Sequence, residues 1–136
     1  MARYYIDTCI WRDYLENRED RFRPLGQWAL SLFQLIQEND EIILYSDIIL
    51  DELRKRFSNA QINELFVSFE KCVFKVKITA TQAQEARLLN EIRKTGFADA
   101  LHAVLARDND AILVTRDEHF SDLANVAHIK KPEDLL

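Results

Sequence analysis

The sequence predicts a three-layer α/β/α domain built on a parallel, roughly five-stranded sheet. Short β-prone runs alternate with helical apolar stripes along the whole chain, and parallel strands need long crossovers of the kind such helices provide. Only two Gly and two Pro occur, while 48% of residues are apolar and 30% charged. That composition describes a helix-rich domain with few long loops. The length, 136 residues, suits one domain with one core, so residues 1–136 are expected to fold as a single unit.

The elements follow in order. Arg3 to Ile6 is an aromatic, β-prone run that stops at Asp7-Thr8 and forms the first strand. From Pro24 the positions Leu25, Trp28, Ala29, Leu32 and Ile36 recur at helical spacing, with Pro at a favoured first-turn place. Asn39-Asp40-Glu41 breaks this helix, and Ile42-Ile43-Leu44-Tyr45 reads as a buried strand. Ser46 or Asp47 then caps a helix running through Ile49, Leu53 and Phe57. Ile62, Leu65, Phe66, Phe69 and Val73 form another helical stripe, after which Phe74, Val76 and Ile78 alternate with Lys75 and Lys77 as in a strand. Thr79 and Thr81 each precede a Gln by three residues, so two capping boxes compete to open the next helix, which ends near Gly96. Ala98 to Arg107 is an alanine-rich helix, Ala111 to Val114 an apolar strand, and Val126 to Ile129 the last strand.

Several classes are excluded or disfavoured. No apolar run approaches the ~20 residues that span a bilayer, and the start of the chain lacks the basic and apolar regions of a signal peptide, so the expected location is the cytoplasm. Cys9 and Cys72 lack the close pairing of zinc or redox motifs and read as small, buried, reduced residues. The net charge of −5 argues at first against a nucleic-acid partner, because phosphate neutralisation calls for Lys and Arg.

In open parallel sheets ligands bind beyond the carboxyl ends of the strands, so the polar residues that follow strands matter most. Asp7 follows the first strand, Ser46 and Asp47 the second, and Thr115-Arg116-Asp117 the strand ending at Val114. Asp99 lies in the first turn of its helix and Glu52 one to two turns into its own. A single acid at a helix start is ordinarily a cap or a dipole partner. Several acids at strand ends meet the needs of a hard divalent cation, which prefers carboxylate and water oxygens. With four of the 23 acids set aside as metal ligands, 19 remain against 18 bases, so the rest of the surface is nearly neutral and the cation supplies positive field locally.

Tyr5-Ile6-Asp7-Thr8, Ser46-Asp47-Ile48-Ile49-Leu50-Asp51-Glu52-Leu53, Phe97-Ala98-Asp99-Ala100-Leu101-His102-Ala103 and Leu113-Val114-Thr115-Arg116-Asp117-Glu118-His119-Phe120 resemble, in order, the successive motifs of PIN-domain nucleases. The bare single-domain length resembles the VapC-type toxins of toxin–antitoxin pairs. The resemblance implies that Asp7, Glu52, Asp99 and Asp117 gather around one or two Mg2+ or Mn2+ ions and that Thr8 and Thr115 orient the acids or a bound water. It implies metal-assisted hydrolysis of RNA phosphodiester bonds, a small antitoxin protein as partner, and a homodimer. The helices carrying Trp28, Phe66 and Phe69 also hold more large apolar side chains than so small a sheet covers. His119 stands where many relatives have a further Asp, which leaves a fifth acid in doubt.

Arg12 and Arg116, with the Arg54-Lys55-Arg56 run, are candidate phosphate contacts, although charged runs are ordinarily solvated helix faces. His102 shares a helix side with Asp99 and reads as a polar core residue or as a group behind the acids. Trp11, Tyr14 and Trp28 are candidates to stack on unpaired bases or to fill the core. Asp47 and Asp51 are alternative ligands to Glu52. Two competing readings are a PIN-like module that binds RNA or protein without cutting, since fold does not establish activity, and a housekeeping RNA-processing nuclease. A receiver domain or Mg2+-dependent phosphatase is disfavoured by the lack of Asp-x-Asp after the first strand.

Overall fold

The computed structural model describes residues 1–136. The chain runs β1 (Arg3–Ile6), α1 (Thr8–Glu16), α2 (Leu25–Glu38), β2 (Ile42–Tyr45), α3 (Asp47–Arg54), α4 (Asn59–Ser68), β3 (Val73–Lys75), α5 (Ala80–Arg93), α6 (Phe97–Asp108), β4 (Ile112–Val114) and β5 (Ile129–Lys130), with 3-10 turns at Glu118–Leu123 and Pro132–Leu135. The five strands are parallel, in the order β3-β2-β1-β4-β5. β1 is central, its Tyr5 in register with Leu44 on one side and Leu113 on the other. The chain therefore builds outward from β1 to β3 and returns through α5 and α6 to β4, leaving a switch point between β1 and β4 where ligand crevices form in such sheets.

Right-handed crossovers put the helices of the outward and return legs on opposite faces. In keeping with this, α1 packs on α2 and α3, whereas α6 packs on α5, β1 and β4. The core centres on Tyr5, Ile6, Ile43, Leu113 and Val114 of the sheet, with Trp11, Phe33 and Ile36 on one face and Leu101, Ala103 and Leu105 on the other. α6 is buried continuously from Ala100 to Ala106, so His102 is held without solvent contact.

Four details depart from the sequence reading. α1 was not foreseen: it is only nine residues long, opened by the Asp7 carboxylate accepting from the Thr8 N–H and closed by Asn17 in the left-handed conformation. β3 starts at Val73, which sequence periodicity assigns to the preceding helix, and ends before Val76 and Ile78. α3 ends at Arg54, short of Phe57. The last strand is Ile129–Lys130, because residues 118–123 take a 3-10 turn. Of the two competing capping boxes, Thr79 with Gln82 is formed, and a further one joins Ser58 to Gln61.

Candidate metal centre

Asp7 leaves the end of β1 and is 6% exposed. Its Oδ1 accepts from the Thr8 N–H at 2.8 Å, and its Oδ2 accepts from the Thr115 hydroxyl at 2.7 Å and the Cys9 thiol at 3.3 Å. Thr115, just past β4, also accepts from the Asp117 N–H at 3.0 Å. One hydroxyl thus ties the acids at the ends of two neighbouring strands. Asp117 caps the following 3-10 turn through the His119 N–H, at 2.9 Å. Asp7 and Asp117 are therefore both helix caps, and each leaves lone pairs for other partners.

Asp99 stands in the first turn of α6, whose N-cap is Gly96 with φ 96°. A residue with a β-carbon is strained there. Burial, then the nearby Asp7 and Asp117 carboxylates, push the Asp99 carboxyl up to about 6. Glu52 reaches in from α3, its Oε1 2.8 Å from His102 Nε2. These four acids line one cleft of about 300 Å3 with Thr8, Cys9, Arg12, Lys55 and Arg56. None of the four lies within ion-pair distance of a Lys or Arg; histidines are their only basic partners. A larger cleft of about 520 Å3 between α1, α2 and α4 holds a single acid, Glu64, and another of about 450 Å3 beside β4 and β5 mixes Asp117, Glu118 and Asp134 with Arg116, Lys130 and Lys131.

Other expected groups sort by what they touch. Asp47 pairs with Lys75 and Asp51 with Arg54, so neither competes with Glu52. Arg12 lines the cleft while pairing with Glu16 at 3.1 Å. Arg116 is engaged with other groups: its Nε donates to Asp13 at 3.2 Å, its Nη1 to Glu133 at 2.9 Å, and its guanidinium lies 5.4 Å from the Trp28 ring centroid. Its side chain is 13% exposed, and it lines a neighbouring cleft with Asp117. Trp11 is a core residue whose indole N–H donates to the Ile6 carbonyl at 3.1 Å. Tyr14 packs edge-on against Phe33 and Phe69. Of the aromatic residues that suggested a second copy, Phe69 is buried while Trp28 and Phe66 are half-buried. Cys72 is buried as expected, whereas Cys9 is only partly buried and lines the acid cleft.

The PIN domain family matches residues 4–126 of the chain. The chain belongs to the PIN-domain family. A search of curated proteins finds no match. Among solved structures, the PIN-domain chain is similar to one in VapBC2 from Rickettsia felis bound to a DNA fragment from its promoter, with TM-score 0.69 and 19% identity over 95% of this chain and 98% of that one. It is also similar to one in FitAcB from Neisseria gonorrhoeae, with TM-score 0.63 and 18% identity over 96% of this chain and 98% of that one. At these identities the likeness is one of fold. No helix is long and apolar enough to cross a membrane.

The residues of this PIN domain fit a hard divalent cation. The donors are carboxylates without cationic partners, and the Thr8 hydroxyl beside them is buried without a hydrogen-bond partner. No three of the acids close into a ready ligand set.

Proposed function

We propose that the chain is a Mg2+- or Mn2+-dependent endoribonuclease acting as the toxin of a toxin–antitoxin pair. The observation that carries this is the convergence of four carboxylates, from the ends of β1 and β4 and the bodies of α3 and α6, on one cleft without a neutralising Lys or Arg. Carboxylates kept together at such electrostatic cost are explained by a cation that relieves it. Asp7, Glu52, Asp99 and Asp117 would hold the ion, which supplies charge stabilisation at the phosphate oxygens and a lowered pKa for water. Thr115 holds Asp7 in place, and the Thr8 hydroxyl orients the acids or a water. Arg12, Lys55 and Arg56 on the cleft wall bind the flanking phosphates of a single-stranded RNA.

The partner proposed is a small antitoxin protein, by analogy with the VapBC2 complex. Copurification with the product of the neighbouring gene tests it. A two-fold homodimer would cover Leu88 and Ile92 of α5, which are 51% and 78% exposed. Light scattering at micromolar concentration decides between that and a monomer. The central test is cleavage of single-stranded RNA by purified protein with Mg2+ or Mn2+ and with chelator. Cleavage confined to the metal-containing reactions supports the reading, and cleavage that persists in chelator or is absent throughout overturns it.

A further inference from the structure

Glu52 Oε1 receives its one hydrogen bond from His102 Nε2 at 2.8 Å; His102 Nδ1 is 2.8 Å from the Tyr5 hydroxyl, and that hydroxyl is 2.7 Å from Ser46 Oγ. Tyr5, Ser46 and His102 are all 0% exposed. They come from β1, the cap of α3, and α6, so the chain of bonds crosses from one helical layer through the sheet to the other.

Burial sets the direction of every bond. An ionised carboxylate only accepts, so His102 Nε2 carries the proton and donates to Glu52. In a neutral imidazole Nδ1 is then the acceptor, and the Tyr5 O–H must donate to it. The Tyr5 proton is thereby committed, so Ser46 donates to the Tyr5 oxygen. With the imidazole neutral, any other arrangement leaves a buried polar atom unpaired, which costs about 1–3 kcal/mol. Ser46 occupies the N-cap of α3, yet its side chain makes no capping bond. Its hydroxyl is turned to Tyr5 instead.

We infer that His102 is a positioning residue, the end of a buried Ser46–Tyr5–His102 donor chain that fixes the Glu52 carboxylate by one oxygen and leaves the other to face a cation in the cleft. The inference deepens the metal-centre reading and rests on it for the last clause alone. Hydrogen-bond partners of this kind, set behind a metal ligand, ordinarily govern affinity by about 10–100-fold.

Two measurements test it. Long-range 15N–1H spectra of the metal-free protein at neutral pH report the imidazole tautomer. His102 is expected as the Nε2–H form in the parent and, because Glu52 still accepts from it, also in Tyr5→Phe, which removes one hydroxyl and keeps the ring. Mn2+ titration, followed by the EPR signal of the free ion, is expected to show about 10-fold weaker binding for His102→Leu, a smaller loss for Tyr5→Phe, and recovery in His102→Gln, whose amide can still donate to Glu52. In a Glu52→Gln background the His102→Leu change should have no further effect. Tyr5→Phe keeps the test open should His102→Leu not fold. An Nδ1–H tautomer in the parent, or undiminished Mn2+ affinity in both Tyr5→Phe and His102→Leu, overturns the inference and leaves the metal centre standing. An Nε2–H tautomer in a parent that binds no Mn2+ overturns the metal centre while upholding the donor chain.

Discussion

Thr115-Arg116-Asp117, one tripeptide at the end of β4, serves two regions of opposite electrostatic character. Asp117 enters a cleft of four carboxylates whose only basic partners are histidines. Arg116 joins a partly buried network with Asp13 and Glu133 that also includes Arg18, 3.5 Å from Asp13, and the Trp28 ring. Burial pushes acids up in both places, but the responses differ. At Asp13, where burial still prevails, the Arg116 and Arg18 guanidiniums pull against that rise, and at Glu133 Arg116, a backbone hydrogen bond and Lys131 together more than offset burial and leave the carboxyl below its usual value. At Asp99 the principal neighbours, Asp7 and Asp117, add to it. The network pairs unlike charges, whereas the cleft concentrates like charges at the mouth of the sheet, the pattern expected of a site that awaits a cation.

The largest effect expected from this contrast is on catalysis. Asp99→Asn and Asp117→Asn should each reduce metal-dependent RNA cleavage by at least about 1000-fold, roughly 4 kcal/mol of barrier, while metal-free Asp99→Asn melts at the same or a higher temperature than the parent. Added Mn2+ should raise the melting temperature of the parent more than that of the variant. Cleavage surviving both substitutions would reduce these acids to helix caps. On the other side, Arg116→Met leaves the buried Asp13 with Arg18 alone, 3.5 Å away, and should cost about 3 kcal/mol of stability, the low end for breaking a buried pair because Arg18 remains and Glu133 is partly exposed. Chemical denaturation measures it. A loss below about 1 kcal/mol would place the network with ordinary surface pairs and erase the contrast.

The sequence showed the cleft and hid the network, for physical reasons. Asp7, Glu52, Asp99 and Asp117 were legible because a parallel sheet brings the ends of its strands together, and β1, β2 and β4 are apolar runs ending at polar residues. The fate of Arg116 was not, since Asp13 is 103 residues away and Glu133 belongs to a terminal 3-10 turn without apolar periodicity. α1 escaped notice because two turns rich in β-branched and aromatic residues give a weak helical signal; Asp7 as N-cap was its one clue. His102 was visible as a neighbour of Asp99, but Tyr5 and Ser46, which give it direction, meet it only through the fold.

A smaller effect tests packing beside the network. Gly26 opens α2 against the end of α1, where a β-carbon would sit 2.6 Å from Asn17 Cα and 2.8 Å from the Asp13 carbonyl. Since both are backbone atoms, Gly26→Ala should destabilise by about 1–3 kcal/mol through displacement of α2, with RNA cleavage retained by the folded fraction. A neutral Gly26→Ala would show that the α1–α2 contact yields freely. The cleft should respond to pH instead. Asp99 titrates at about 6 when folded against an ordinary 3.8, so its contribution is fully present below about pH 4 and is lost as pH rises to about 6. The metal-free melting temperature should show a falling component over that window, absent in Asp99→Asn. An equal slope in both proteins would remove Asp99 from the charged cluster.

The smallest effect separates pairing from burial. Arg107 of α6 holds Glu85 of α5 through two hydrogen bonds of 2.6 and 2.7 Å and pairs with Asp108, a better-formed set than any bond in the Arg116 network, yet the Arg107 and Glu85 side chains are 38% and 39% exposed. The Arg107 hydrogen bond lowers the Glu85 carboxyl from its ordinary 4.5, so its stabilisation is present at neutral pH and fades as pH falls below that value. Water and salt already satisfy such groups in the unfolded chain, and exposed pairs are worth at most about 1 kcal/mol. Glu85→Gln should therefore cost less than about 1 kcal/mol, and about 1 M salt, where the screening length falls to roughly 3 Å, should shrink even that. Arg116→Met, whose partner is desolvated, should keep most of its cost in the same salt. If Glu85→Gln proved as damaging as Arg116→Met, hydrogen-bond geometry rather than burial would set the strength of charge pairs in this fold, and the account of the acid cleft as a site held open against its own charge would lose its physical basis.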